Sequence, residues 1–149
     1  MKDFETSLND LLVDTFNSIL KYEEKSLKNI LRTPVTVGEA HLIEAIGNSS
    51  GNATVSDLAS SLSVSMPTAT VAIKKLEKKG FAQRTHCSED GRRFRISLTR
   101  DGEIVYRTHR LFHKNMVKNV CLGFTGAEKD ILIMAIEKLN GFFKGKAIA

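Results

Sequence analysis

The sequence predicts a mostly α-helical fold with one small β-hairpin, on three observations. Apolar residues recur at spacings of three and four along much of the chain, the period of a helix with one buried face. Three segments start with Thr and carry an acid three residues later (Thr36 and Glu39, Thr54 and Asp57, Thr125 and Glu128), the pattern that satisfies orphan amides at a helix start. One stretch, HCSEDGRRFRISLTRDG at 86–102, alternates as a strand does around an acidic turn. A length of 149 residues suits one compact domain or one protomer of an assembly, and 42% hydrophobic content is enough for a core.

Residues 3–31 read as a long helix, with Phe4, Leu8, Leu11, Leu12, Phe16, Ile19, Leu20, Leu27 and Ile30 on its stripe and Pro34 closing it. Thr36 opens the next helix, and GNSSGNA at 47–53 is a loop. TVSDLASSL from Thr54 is a short helix with Val55, Leu58, Ala59 and Leu62 inward, and SVS is a tight polar turn. MPTATVAIKKLEKKG follows as a helix that Ser65 can cap, with Pro67 tolerated in the first turn and Gly80 able to supply a left-handed stop. Ala69, Ala72, Ile73 and Leu76 line its buried face. FAQRTHC and RFRISLT are two strands joined by SEDGR, with Phe94, Ile96 and Leu98 alternating against Arg95, Ser97 and Thr99.

Charge locates the function. Residues 66–100 hold nine Lys or Arg against three acids, a net of +6, whereas the whole chain carries +5. A near-neutral body with one basic patch favours a polyanion, and nucleic acid ranks ahead of an anionic membrane because no Trp-bearing amphipathic helix accompanies the patch. A solvated lysine face would account for KKLEKK taken alone. Two short helices, a compact turn, small polar groups at the start of the second helix and lysines further along are what major-groove docking requires. The candidates are Ser65, Met66, Pro67, Thr68, Thr70, Lys74 and Lys75.

The hairpin then reads as a wing whose tip enters the minor groove, where narrow A/T-rich DNA concentrates negative potential. Arg92 is the tip candidate, Asp90 is expected to pair with an arginine and fix the turn, and Arg93, Arg95 and Arg84 complete the basic wing set. The fold class expected is therefore a winged helix-turn-helix, spanning 36–102. An Arg92→Ala change should weaken DNA binding far more than Lys78→Ala.

Other classes receive little support. There is no glycine-rich phosphate loop, no GxSxG and no HExxH, so no catalytic residue is assigned and an enzyme is not expected. No run nears the roughly 18 apolar residues that span a bilayer, and MKDFETSLND lacks a secretory pattern, so a cytoplasmic protein without a membrane role is expected. Cys87 and Cys121 form no CxxC; Cys87 beside the wing could sense oxidants only with a depressed pKa or a resolving thiol. His109 and His113, four apart on one helix face, could ligate a metal, with His41 or Glu44 conceivable as further ligands. Two such ligands are frequent by chance, and no metal or other cofactor is assigned.

These residues also carry a resemblance. TVSDLASSLSVSMPTATVAIKKLEKKGFAQR followed by DGRRFRISLTRDG resembles the winged helix-turn-helix of the MarR family, including its Asp-x-Arg wing motif (Asp90, Arg92) and the LT-x-x-G that opens the next helix (Leu98, Thr99, Gly102). The resemblance implies a homodimer acting on double-stranded, pseudo-palindromic DNA. It implies dimerisation helices within 3–31 and 103–149, with the later helices at 100–123 and 126–145. Ile104, Val105, Phe112, Met116, Val117 and Val120, then Ile131, Ile136, Leu139, Phe142 and Phe143, are available for burial, which core packing would explain equally well.

YEEKSLK (22–28), EAHLIEAIG (39–47) and HRLFHKNMV (109–117) are similar to the FabT subgroup, repressors of fatty-acid synthesis genes whose corepressor is an acyl chain on acyl carrier protein. That likeness implies an acyl tunnel, for which Phe16, Ile19, Leu20, Ile43, Phe112 and Met116 are candidates, and a basic surface such as Arg107, Arg110 and Lys114 for the acidic carrier. A phenolic compound, a metal or an oxidant as effector, or a winged helix that binds protein, are the alternatives.

Overall fold

A computed structural model describes residues 1–87 and 90–148, leaving aside the side chains at 87, 90–92, 147 and 148. The element order is α1 (Phe4–Leu27), α2 (Val37–Asn48), α3 (Val55–Ser61), α4 (Met66–Lys79), β1 (Ala82–Cys87), β2 (Asp90–Leu98), α5 (Arg100–Cys121) and α6 (Gly126–Ile148). This is the expected helical chain with a two-stranded antiparallel hairpin. Residues 1–111 and 112–149 form two compact units, with α5 running through the boundary.

The helix starts follow the cap chemistry. Asp3 accepts from the Thr6 amide at 2.7 Å and opens α1. Thr54 and Asp57 form a full capping box on α3, each side chain accepting from the other's amide. Those hydrogen bonds hold the Asp57 carboxyl below its ordinary pKa, and the Thr125 amide does the same for Glu128 at the start of α6. At α2 the Thr36 hydroxyl accepts from the Glu39 amide, while the Glu39 carboxylate reaches Lys79 of α4 at 2.7 Å.

The end of α1 is corrected from 31 to Leu27. Leu27 is fully buried, and turns and bends at 28–33 bring Ile30 and Leu31 against the core before Pro34. The core of the first unit joins Leu42, Ile43 and Ile46 of α2 to Leu58 of α3, Ile73 and Leu76 of α4, Ile96 of β2 and Val105 of α5. The stripe predicted along α1 has a different fate. Phe4, Leu11, Phe16 and Ile19 stay exposed in the single chain, as do Ile131, Ile136, Phe142 and Phe143 of α6.

The wing pairs Ala82 with Leu98 and His86 with Phe94, with an irregularity between His86 and Cys87. Ala53, in the segment read as a loop, adds one bridge: its carbonyl accepts from the Ile96 amide at 2.8 Å. The exit from the wing is stapled to the end of α4. The Thr99 amide donates to the Phe81 carbonyl, and its hydroxyl donates to the Gly80 carbonyl and accepts from the Gly102 amide.

Candidate nucleic-acid interface

The helix pair α3–α4 is held by its turn. After Leu62, Ser63 adopts φ 54°, its amide donates to Ser60 and the Val64 amide donates to Ala59. That is a Schellman closure with serine in the left-handed position that glycine usually takes. Ser65 then caps α4, accepting from the Thr68 amide, and Gly80 at φ 83° ends the helix.

With Ala69, Ile73 and Leu76 buried, helical geometry turns the opposite face outward. Ser65, Met66, Pro67, Thr68, Lys74, Lys75 and Lys78 are exposed, Met66 by 48% and Val71 by 54%. Thr70 is half-buried and its hydroxyl donates back to the Met66 carbonyl at 2.9 Å. Six of the seven predicted α4 residues thus share an open, basic face, and Thr70 lies at its margin.

The wing residues divide. Arg93 and Arg95 are exposed on β2, and Arg95 donates to the Asn52 side chain at 3.1 Å. Arg84 is engaged within the protein: its Nε donates to Glu77 of α4 at 2.7 Å and its guanidinium lies 5.5 Å over the Phe94 ring. It braces the wing against α4. The side chains of Asp90 and Arg92, and that of Cys87, lie outside the described residues. A concave surface of about 600 Å³ opens between α3, α4 and the wing, lined by Ser56, Met66, Thr70, Arg84, Arg93 and Phe94 among others.

The candidate acyl-site residues divide between the two units. Phe16 and Ile19 are exposed on α1 by 63% and 44%, and Leu20 is half-buried. Ile43 is wholly buried, so it is part of the core. Phe112 and Met116 are half-buried on the second-unit part of α5. A different groove, about 750 Å³, lies between α2, α3 and α4, with Leu42, Leu62, Val64 and Ala72 in its wall.

Glu44 is only half-buried on α2, whereas Glu23 of α1 meets both His41 and His109. The sequence reading missed Glu23. Its only signal was position: Glu23 precedes Leu27 by one helical turn, so both project from the same face of α1. Cys121 is a half-buried free thiol, and no helix among the described residues is long and apolar enough to cross a membrane.

A reading helix with a basic outer face, a capped helix before it and a hairpin after it define a winged helix-turn-helix, the fold of a large class of transcription regulators. The model of the MarR family matches residues 35–94, which are α2 through most of the wing, and that segment is a winged helix of the MarR type. The structure is similar to that of Streptococcus pneumoniae FabT in complex with DNA, with a TM-score of 0.87 and 29% identity over 95% of this chain and 98% of that one. It shares its fold with the Staphylococcus aureus MepR–DNA complex, at a TM-score of 0.77 and 17% identity over 95% of this chain and 99% of that one. An uncharacterised helix-turn-helix regulator of Bacillus subtilis, YfiV, is 34% identical over 101 residues; the match spans 68% of this chain and 57% of that protein's length.

Proposed function

We propose that the chain is a cytoplasmic transcriptional repressor that binds a pseudo-palindromic operator as a homodimer, acting by binding without catalysis. Each protomer sets residues 65–75 of α4 in a major groove and its wing in the flanking minor groove. The observation that carries this reading is the open face of α4, where Lys74 and Lys75 are exposed and Met66 and Thr70 line one concave surface with Arg93 of the wing. Half-sites lie roughly 10 base pairs apart, because the two-fold axis of the protein must coincide with that of the DNA. The uncovered apolar residues of α1 and α6 supply the dimer surface, since stripes of that size are rarely left to solvent.

The regulated genes are those of fatty-acid synthesis, with a long acyl chain on acyl carrier protein as corepressor. Support comes from the likeness of YEEKSLK, EAHLIEAIG and HRLFHKNMV to the FabT subgroup and from the similarity to S. pneumoniae FabT along nearly the whole chain. Exposed Arg107 and Arg110 on α5 offer the cationic surface that an acidic carrier would meet.

Gel shifts on a duplex enriched by the chain from a random pool test both parts. Long-chain acyl carrier protein is expected to tighten binding while the unacylated carrier does not. An acylated carrier without effect would end the fatty-acid reading and leave the operator reading standing. In the same assay Arg92→Ala is expected to cost at least about tenfold in affinity, a guanidinium in a narrow minor groove being worth more than a single phosphate contact. Lys78→Ala is expected to weaken all duplexes mildly and alike. Unchanged affinity in Arg92→Ala would remove the minor-groove assignment.

A further inference from the structure

The outward face of α4 has an apolar centre. With Ala69, Ile73 and Leu76 buried, an advance of about 100° per residue puts Val71 opposite them, with Pro67 one turn before it and Lys74 and Lys78 one and two turns after. Val71 is 54% exposed. A reading helix meets base edges with its N-terminal turns, and the first two turns here, Met66 to Ile73, contain no Arg, Lys, Asn, Gln, Asp or Glu. Those are the side chains that recognise guanine, adenine and cytosine by hydrogen bonds in the major groove. Two of the three hydroxyls nearby are committed within the helix: Ser65 donates to Thr68 Oγ1 at 2.8 Å, and Thr70 donates to the Met66 carbonyl at 2.9 Å. The start of α4 therefore offers a base pair hydrocarbon and the Thr68 hydroxyl.

One base carries hydrocarbon on its major-groove edge: thymine, through its C5-methyl group. We propose, on the basis of the operator reading, that Val71 with Pro67 beside it packs on the C5-methyl of a thymine in each half-site. Sequence selection by α4 is then a matter of methyl contact, not of paired hydrogen bonds. The charges fit this division. Lys74, Lys75 and Lys78 begin only at the third turn, and the phosphates they meet position the helix without reporting sequence. Met66, 48% exposed, lies toward the wing and lines the concave surface there, so it stands apart from the Val71 contact. Burying one methyl carbon is worth about fourfold in affinity, and two half-sites make that about 15-fold.

The test takes the duplex that the full chain enriches from a random pool and replaces thymine by 2′-deoxyuridine, one symmetric pair of positions at a time. The exchange removes methyl groups and keeps every hydrogen-bonding edge. The wild-type chain is expected to lose about 15-fold in affinity at one such pair. Val71→Ala is expected to bind the thymine duplex more weakly and to lose less than about twofold on the same exchange, since the group that met the methyl is gone. Val71 is exposed and alanine is the better helix former, so the variant keeps the fold. A damaged helix would weaken both duplexes equally, so the ratio of the two affinities is the readout. Wild-type binding that no exchange lowers, a loss that Val71→Ala shares in full, or enriched half-sites with no thymine in common would each overturn the assignment and leave operator binding standing. Enrichment of no duplex at all would end both.

Discussion

Replacing Gly102 by alanine is expected to lower stability by about 3 kcal/mol. Gly102 is buried in the first turn of α5, and a Cβ there would collide with the backbone carbonyl oxygen of Phe81 and press on Cβ of Leu98 at 3.2 Å. Neither neighbour is free to give way. The Phe81 carbonyl already accepts from the Thr99 amide at 3.1 Å, and the Phe81 side chain is part of the core. Relief requires α5 to shift away from the wing, which breaks the Thr99 staple to Gly80 and loosens the packing of Val105. With a urea dependence of about 1–3 kcal/mol per molar, the midpoint should fall by at least about 1 M at fixed protein concentration. A midpoint unmoved by the substitution would contradict the close approach of α5 to the end of α4.

Reversing the charge of α4 is expected to cost more in function and little in folding. Lys74 and Lys75 are exposed and buried by nothing in the chain, so the double change Lys74→Glu with Lys75→Glu keeps the Ala69–Ile73–Leu76 face intact. Each acid would face phosphate with a like charge. Affinity for duplex is expected to drop at least about 100-fold, for matched and unmatched sequences alike. Each lysine that leaves a phosphate takes about 0.9 from the slope of log K against log salt, or about 3.6 for the four lysines of a dimer. Retained affinity with an unchanged slope would place the DNA elsewhere on the protein.

Much of this was legible because local chemistry and global fold agree. Thr54 with Asp57, Ser65 before Pro67, and Gly80 after a lysine-rich end each name one position of a helix, and each is found there. The alternation of Phe94, Ile96 and Leu98 against Arg95, Ser97 and Thr99 marked a strand, and in that strand the structure leaves Ile96 fully buried. What was not legible depends on distant partners. Nothing in GNSSGNA indicates that Ala53 bridges Ile96, because a single backbone hydrogen bond leaves no side-chain period. Ser63 closes α3 in a left-handed conformation that sequence rules reserve for glycine or asparagine.

Arg84 shows the limit for charge. Its residue type places it in the basic wing set, but whether a guanidinium faces solvent or a carboxylate such as Glu77 is a matter of tertiary geometry. Glu23 is the same lesson with the opposite sign: an acid in a run of charges reads as solvated and is instead enclosed by two imidazoles. The stripe on α1 was readable as apolar, yet Phe4, Leu11, Phe16 and Ile19 on it are exposed, which no residue pattern within the helix reveals.

The central claim is that two identical subunits present α4 and the wing to duplex DNA. A fluorescence-anisotropy titration of the enriched duplex between 50 and 200 mM salt, paired with native mass spectrometry of the complex, tests it most directly. Two chains per duplex are expected, with an affinity that falls by about 1,000-fold or more over that range. A complex with one chain per duplex, or binding indifferent to salt, would contradict it.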